Sequence, residues 1–302
     1  MVVRELWNRY RQRIERTADR VLTFLTVCGV LLVVWVLLQV TTFSSFRIPT
    51  ESMEPTLIPG DYIWVEKWTM GGRLFDLNEA AEGKEVDIHR LPGWGKVKRN
   101  DVLVFNYPHS HRWDSISMDL KVYYVKRCIG LPGDTVSIRG GYYRVAGIAD
   151  TLGYVPSQKR MAHLLEADAN RQGIAFRSFP EDGTQGWNIL DFGPLYVPSS
   201  GSCVRLTERE VPLYRRLVEW EQKKKLHTED GNVMLGDSII CEYVFRKDYY
   251  FVGGDNVVYS QASRYWGLLP EEYIVGRAVR IWKSEDRFMD TFRWERFMKK
   301  IE

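Results

Sequence analysis

The sequence predicts a mostly β protein carried behind one N-terminal apolar helix. Three features lead there. Aromatic residues make up 13% of the 302 positions, with 11 Trp and 16 Tyr, the residue types that suit strands and membrane interfaces. Short apolar or alternating runs bounded by Gly, Pro and Asp recur from residue 61 onward, as strands joined by turns do. The stretch 21–46 contains no charged residue, and a spanning helix needs only ~20 mainly apolar residues. The net charge of +3 implies no general affinity for nucleic acid. Of the four cysteines, Cys28 falls in the apolar run. That leaves Cys128, Cys203 and Cys241, among which at most one disulfide could form and none is demanded. With no CxxC and no HExxH, neither a metal nor another cofactor is expected.

The elements follow in order. Residues 1–20 carry six arginines against three acids, with Leu6, Trp7, Tyr10 and Ile14 at roughly helical spacing, as in a solvated helix or one lying on lipid. The apolar run is longer than the ~7–15 residues of a signal-peptide core, and Thr41 to Phe46 makes a poor cleavage site, so an uncleaved anchor is expected. Arginines before it and only Arg47 close after it place the N-terminus in the cytoplasm. Tyr62 to Lys67 reads as a strand, residues 69–98 as a turn-rich insertion, and Val102 to Phe105 as a short, largely buried strand. Thr135 to Ile138 and Tyr142 to Val145 read as a hairpin around Gly140-Gly141. Residues 146–235 are more polar. Thr207-x-x-Glu210 resembles a capping box before a stripe of Val211, Tyr214, Leu217 and Val218, with Pro212 early enough to shift the helix start. The run Lys223-Lys224-Lys225 reads as a solvated helix end or a binding patch. Strands return at 239–245, 249–252 and 274–281. Phe288, Phe292, Phe297 and Ile301 then suggest an interfacial or packed terminal helix.

Two stretches carry chemistry. Pro49 and Pro55 hold the segment around Thr50 and Ser52 extended, so a hydroxyl just beyond the anchor is a candidate nucleophile. Alternation from Leu120 to Cys128 puts Lys126 on one face with Leu120, Val122 and Tyr124. The ordinary fate of such a lysine is pairing with an acid or snorkelling to the edge. The functional reading is that burial lowers its pKa and yields a neutral amine able to accept a proton near pH 7.

Four boxes then stand in order: Ser52-Met53-x-Pro55-Thr56-Leu57; Asn100-Asp101-Val102-Leu103-Val104-Phe105; Lys126-Arg127-x-x-Gly130-x-Pro132-Gly133-Asp134; and Gly254-Asp255-Asn256 with Ser260-x-x-Ser263-Arg264-x-Trp266-Gly267. Together, behind an N-terminal anchor, they resemble bacterial type I signal peptidase, the leader peptidase family. The resemblance covers roughly 20–67, 98–145 and 240–283. It implies an antiparallel β catalytic core and a serine endopeptidase with a Ser–Lys dyad, Ser52 the nucleophile and Lys126 the base. It also implies an oxyanion site from Ser52 N–H and Thr50, and Ser260 positioning the amine. Arg127, Asp255, Ser263 and Arg264 would give structural support. Where the family commonly has an acid, this chain has Ala262, so an Arg264–Asp255 pair is a hypothesis.

The implied partners are exported preproteins cut after small-x-small sites. They would add as a strand against Ile48, Pro49, Met53 and Leu57 on one side and Tyr124 and Val125 on the other. The lipid bilayer is the other implied partner; no oligomer is implied. The expected organisation is a basic cytoplasmic N-terminus at 1–20 and an inner-membrane anchor at 21–45. An outward-facing catalytic core at 46–145 and 236–284 is interrupted by an accessory region at 146–235, and an amphipathic tail occupies 285–302. Two rivals remain. One is a self-cleaving repressor-type protease, which this chain's anchor and lack of a DNA-reading module disfavour. The other is a non-catalytic anchored homologue acting as a binding or assembly protein, which Ala262 alone supports.

Overall fold

The charge-free run forms the second half of a single helix, α1 (Val2–Thr41). The computed structural model describes residues 2–76, 79, 86–109, 112–286, 289 and 291–302. Within α1, residues Glu15–Val36 are long and apolar enough to cross a membrane, with mean hydropathy 1.9 and no part buried in protein. Leu22, Phe24, Leu31 and Trp35 are all more than half exposed, a helix apolar all round whose surface asks for a non-aqueous surrounding. The helix stops at Thr41, short of the expected end at 45, because the β-branched pair Thr41-Thr42 is followed by a stretch that pairs as a strand.

In chain order, β1 (Phe43–Arg47), β2 (Asp61–Glu66), β3 (Arg73–Leu74), β4 (His89–Arg90), β5 (Val102–Asn106) and β6 (Tyr123–Gly130) come first. Next are β7 (Thr135–Arg139), β8 (Tyr142–Val145), β9 (Phe192–Tyr196), β10 (Cys203–Arg205), β11 (Leu226–Glu229) and β12 (Asn232–Leu235). The last are β13 (Ser238–Ile239), β14 (Glu242–Val244), β15 (Tyr249–Gly253), β16 (Leu269–Pro270), β17 (Ile274–Ser284) and β18 (Lys299–Lys300). The main sheet runs β1-β2-β17-β5-β6-β15-β16, with β18 on β17, and its pairs are antiparallel. Only Thr42 separates α1 from β1. Its N–H donates to Leu38 O at 2.8 Å, and its carbonyl accepts from Lys67 N–H at 2.8 Å just beyond β2.

β5 explains why the sheet is buried on both sides. Leu103 and Phe105 belong to one apolar cluster and Val102 and Val104 to another, as alternate side chains of a strand must. The first cluster extends through Cys128, Val136, Phe192 and Phe251; the second gathers Ile48, Met53, Leu57, Ile63 and Ile281. The β7–β8 hairpin forms across Gly140-Gly141 as expected, with Arg139 opposite Tyr142.

Residues 146–235 are joined to this core. β9 pairs with β7. The helix Val211–Gln222 buries Val211, Tyr214, Leu217 and Val218, the stripe read from the sequence. Thr207 and Glu210 bond to each other in the turn before it, and Pro212 sits in its first turn. Glu221 near its end accepts from Tyr243 and Tyr249 hydroxyls, each at 2.7 Å. The four cysteines are free thiols.

The tail corrects an expectation. Residues 291–302 form a 3-10 turn, Trp294–Arg296, and the short β18 rather than an α-helix; Phe288 lies outside the described residues. Arg296 dictates this. It forms a bidentate pair with Asp61, at 2.9 and 2.6 Å, and donates to Thr56 O at 2.9 Å, with Asp61 wholly buried. The tail therefore fastens the segment that follows Ser52, and the Phe292, Trp294 and Phe297 rings meet one another tilted or edge-on instead of lining a helix.

Candidate active site

β6 places two cations side by side in a buried strand. Lys126 and Arg127 point to opposite faces, and both are about nineteen-twentieths buried. A lysine so placed needs either a partner or neutrality. Its Nζ lies 2.6 Å from Ser52 Oγ and 5.5 Å from the Tyr124 ring. Burial pushes its pKa down to about 7. Asp255 acts upward and Arg264 downward, both more weakly. An amine that is half neutral at neutral pH, in contact with a hydroxyl, can take that hydroxyl's proton.

Ser52 is held in a turn. Glu54 N–H donates to Glu51 O at 3.0 Å and Leu57 N–H to Met53 O at 2.9 Å. Asn256 fastens the turn to the loop after β15, donating through N–H to Ser52 O at 3.2 Å and through Nδ2 to Glu51 O at 3.2 Å. Thr50 stands exposed two residues before Ser52.

Arg127 connects the four boxes. It pairs bidentately with Asp255, Nε to Oδ1 at 2.7 Å and Nη2 to Oδ2 at 2.6 Å. It also donates to Asn100 O at 2.7 Å and to Thr56 Oγ1 at 3.4 Å. This overturns the Arg264–Asp255 hypothesis: Asp255 is already engaged. Arg264, 1% exposed, instead donates to the carbonyls of Val257 and Ser260 and lies over the Tyr265 ring at 4.8 Å. Its Nε and Nη1 have no partner among the described residues. Ser263 Oγ accepts from Val252 N–H at 2.9 Å and ties this loop to β15.

Two further expectations change. Ser260 Oγ is buried but makes no hydrogen bond among the described residues, so it does not hold the amine here. It stays close, however. A Cβ built on Gly254 would meet Ser260 Oγ at 2.0 Å and Ser52 O at 2.5 Å. Ile48, Met53 and Leu57 are 3% exposed or less and pack with Val102 and Val104. They form the floor under the serine turn rather than open walls. Pro49, exposed, and Tyr124 and Val125, half-buried, are the expected substrate contacts that have surface to offer. Sequence reasoning missed the part of Asn256, though it lies within the fourth box, and that of Arg296, for which no local signal exists.

An antiparallel β scaffold that sets a serine against a buried amine defines a class, the hydrolases acting on acyl bonds, and comparison with known proteins narrows it to peptidases. A profile described as Signal peptidase, peptidase S26 matches residues 20–283, and the chain belongs to that family. Signal peptidase I of Buchnera aphidicola subsp. Baizongia pistaciae is 27% identical over 268 residues, covering 86% of this chain and 76% of its own. That of Aquifex aeolicus is 28% identical over 249 residues, covering 80% and 75%. That of Pseudomonas aeruginosa is 28% identical over 250 residues, covering 79% and 64%. A solved signal peptidase I from Enterococcus faecalis shares 21% identity over 60% of this chain and 96% of that one, with a TM-score of 0.28.

Proposed function

We propose that this chain is a membrane-anchored serine endopeptidase that removes signal peptides from exported preproteins after small-x-small sites, with Ser52 as nucleophile and Lys126 as general base. The observation that carries this is the 2.6 Å contact between Lys126 Nζ and Ser52 Oγ, with the amine drawn toward neutrality by burial.

The steps follow from that geometry. Ser52 Oγ attacks the scissile carbonyl as neutral Lys126 accepts its proton. Negative charge develops on the carbonyl oxygen, where Ser52 N–H and the Thr50 hydroxyl supply donors; one such donor is typically worth ~3–4 kcal/mol. The Lys126 ammonium then gives its proton to the leaving amine, and the signal peptide remains as an ester on Ser52. Water, deprotonated by Lys126, hydrolyses that ester. Ser260, next to the dyad, is the group that would orient the amine when substrate is bound. The preprotein lies extended between the Pro49–Thr50 segment and Tyr124–Val125. α1 would hold this site at the outer face of the inner membrane, its arginine-rich start in the cytoplasm, where the apolar part of the substrate is also confined and its effective concentration raised.

The pH profile tests this. Only the neutral amine can accept a proton, so kcat/KM for a purified preprotein is expected to rise with pH through about 7 and then level off. A rate flat or falling between pH 5.5 and 9 would be incompatible with Lys126 as base. Gly254→Ala supplies a second expected result. The added methyl must displace Ser260 or the Ser52 carbonyl, and a misplacement of that size is expected to lower kcat by about 10²-fold. A methyl tolerated without loss in single-turnover cleavage would show that the turn is not held to that tolerance.

A further inference from the structure

Three consecutive residues after β15 each reach a different element. Asp255 pairs with Arg127 of β6. Asn256 holds the Ser52 turn through its N–H and its Nδ2. Val257, 2% exposed, donates its N–H to Ser157 Oγ at 2.9 Å, across 100 positions of chain. Ser157 is wholly buried in the helix Val155–Ala162 of the accessory region. A buried backbone N–H needs a partner, and here a side chain of another element supplies it. For the helix alone, alanine would serve better than serine at this position. The Val257 carbonyl is engaged too, by the Arg264 guanidinium.

That helix is itself fastened to the core. Gln158, 1% exposed, accepts from Tyr143 N–H of β8 at 2.9 Å through Oε1 and donates to Leu152 O at 2.6 Å through Nε2. Just before the helix, Gly153 N–H donates to Asn100 Oδ1 and Asn100 Nδ2 to Thr151 O, each at 2.8 Å. Asn100 is the residue whose carbonyl accepts from Arg127. The segment 151–158 thus grips the core at β8 and at Asn100 and offers one hydroxyl to the loop. A hold at Asp255 alone would leave Asn256 fixed from one side; with Val257 held as well, it is bracketed. We propose that Ser157 is a positioning residue for the cleavage reaction: it fixes the loop at Val257, so that Asn256 keeps the Ser52 turn in register with Lys126. The proposal rests on the peptidase reading above, and it gives the accessory region a part in catalysis through the placement of the nucleophile.

The test uses the full-length enzyme in detergent and a purified preprotein. Ser157→Ala removes the hydroxyl and favours the helix; Ser157→Cys keeps the volume with a poor acceptor. Each is expected to lower kcat about tenfold or more with KM within about twofold of wild type, because a small misplacement of the reacting hydroxyl suffices. Met161→Ala is the comparison. It empties a wholly buried apolar site on the same helix, so it should lower the melting temperature more than either while kcat stays within about twofold of wild type. Hydrogen exchange needs no turnover and reads the hold directly. Amides 255–257 are expected to exchange faster in the Ser157 variants, with β15 as protected as in wild type. Wild-type kcat in a folded Ser157 variant, an equal loss of kcat in Met161→Ala, or unchanged exchange at 255–257 overturns the proposal. Lys126→Met separates it from the dyad: cleavage by that variant would sink the base and leave the exchange result at Ser157 standing.

Discussion

Lys126→Met is expected to abolish processing and at the same time to stabilise the fold. Loss of the base should lower kcat by at least about 10⁴-fold, as removal of a dyad or triad member does elsewhere, and Ser52→Ala should match it because the two groups act as one unit. The stability effect has the opposite sign. Lys126 titrates near 7 in the folded chain against an ordinary value of 10.5. Between those values the unfolded chain holds a proton that the folded chain lacks, so stability rises with pH across that window. Below about 7 the whole cost of burial is present, on the order of 5 kcal/mol at ~1.4 kcal/mol per unit. Methionine fills the same space without that cost, so the variant should gain about 1–4 kcal/mol at pH 6, a gain that shrinks toward pH 10.5. Thermal melts at several pH values beside the preprotein assay would check both halves. An inactive variant that is also less stable at pH 6 would mean that the amine is not held against its preference for charge.

Asp255→Asn should be the most damaging change outside the dyad. Asp255 is fully buried and neutralises Arg127, itself 5% exposed. Removing one member of such a pair leaves a buried charge uncompensated, at a cost of about 3–5 kcal/mol. A plain loss of stability would follow from many core changes; the pH profile is more particular. Asp255 is a group that raises the Lys126 pKa, so its neutralisation should move the acid limb of kcat/KM below that of wild type. A limb that stays in place or moves upward, with an unchanged urea midpoint, would remove Asp255 from both roles.

The features legible in the sequence were those with local cause. A charge-free run of this length can be little other than a long helix, the hairpin declared itself by Gly140-Gly141, and β5 by an unbroken apolar run. Ser52 and Lys126, which the structure brings to 2.6 Å, could be singled out because a lone lysine on an apolar strand is chemically conspicuous and because the boxes around both resemble a family. The partner of Asp255 was not legible. Arg127 reaches it only because β6 and β15 are neighbours in the sheet, and no spacing along the chain encodes that. The burial of Met53 and Leu57 was not legible for a related reason: an apolar side chain beside a nucleophile is wall or floor according to what packs beneath it, and here Val102 and Val104 do. The tail misled through its phenylalanine spacing, where the Arg296–Asp61 pair and the pairing of β18 with β17 at Arg280 and Ile281, past the end of β5, outweighed helical periodicity.

The junction between α1 and β1 has a bearing on how a cut is chosen. With a single residue between helix and sheet, and that residue bonded to both sides, the peptidase has no tether on which to swing. If α1 stands in a bilayer, the reacting hydroxyl stands at one height above it. On that condition a preprotein could be severed only where its own chain, climbing out of the lipid, reaches that level, and the enzyme would work as a gauge of length.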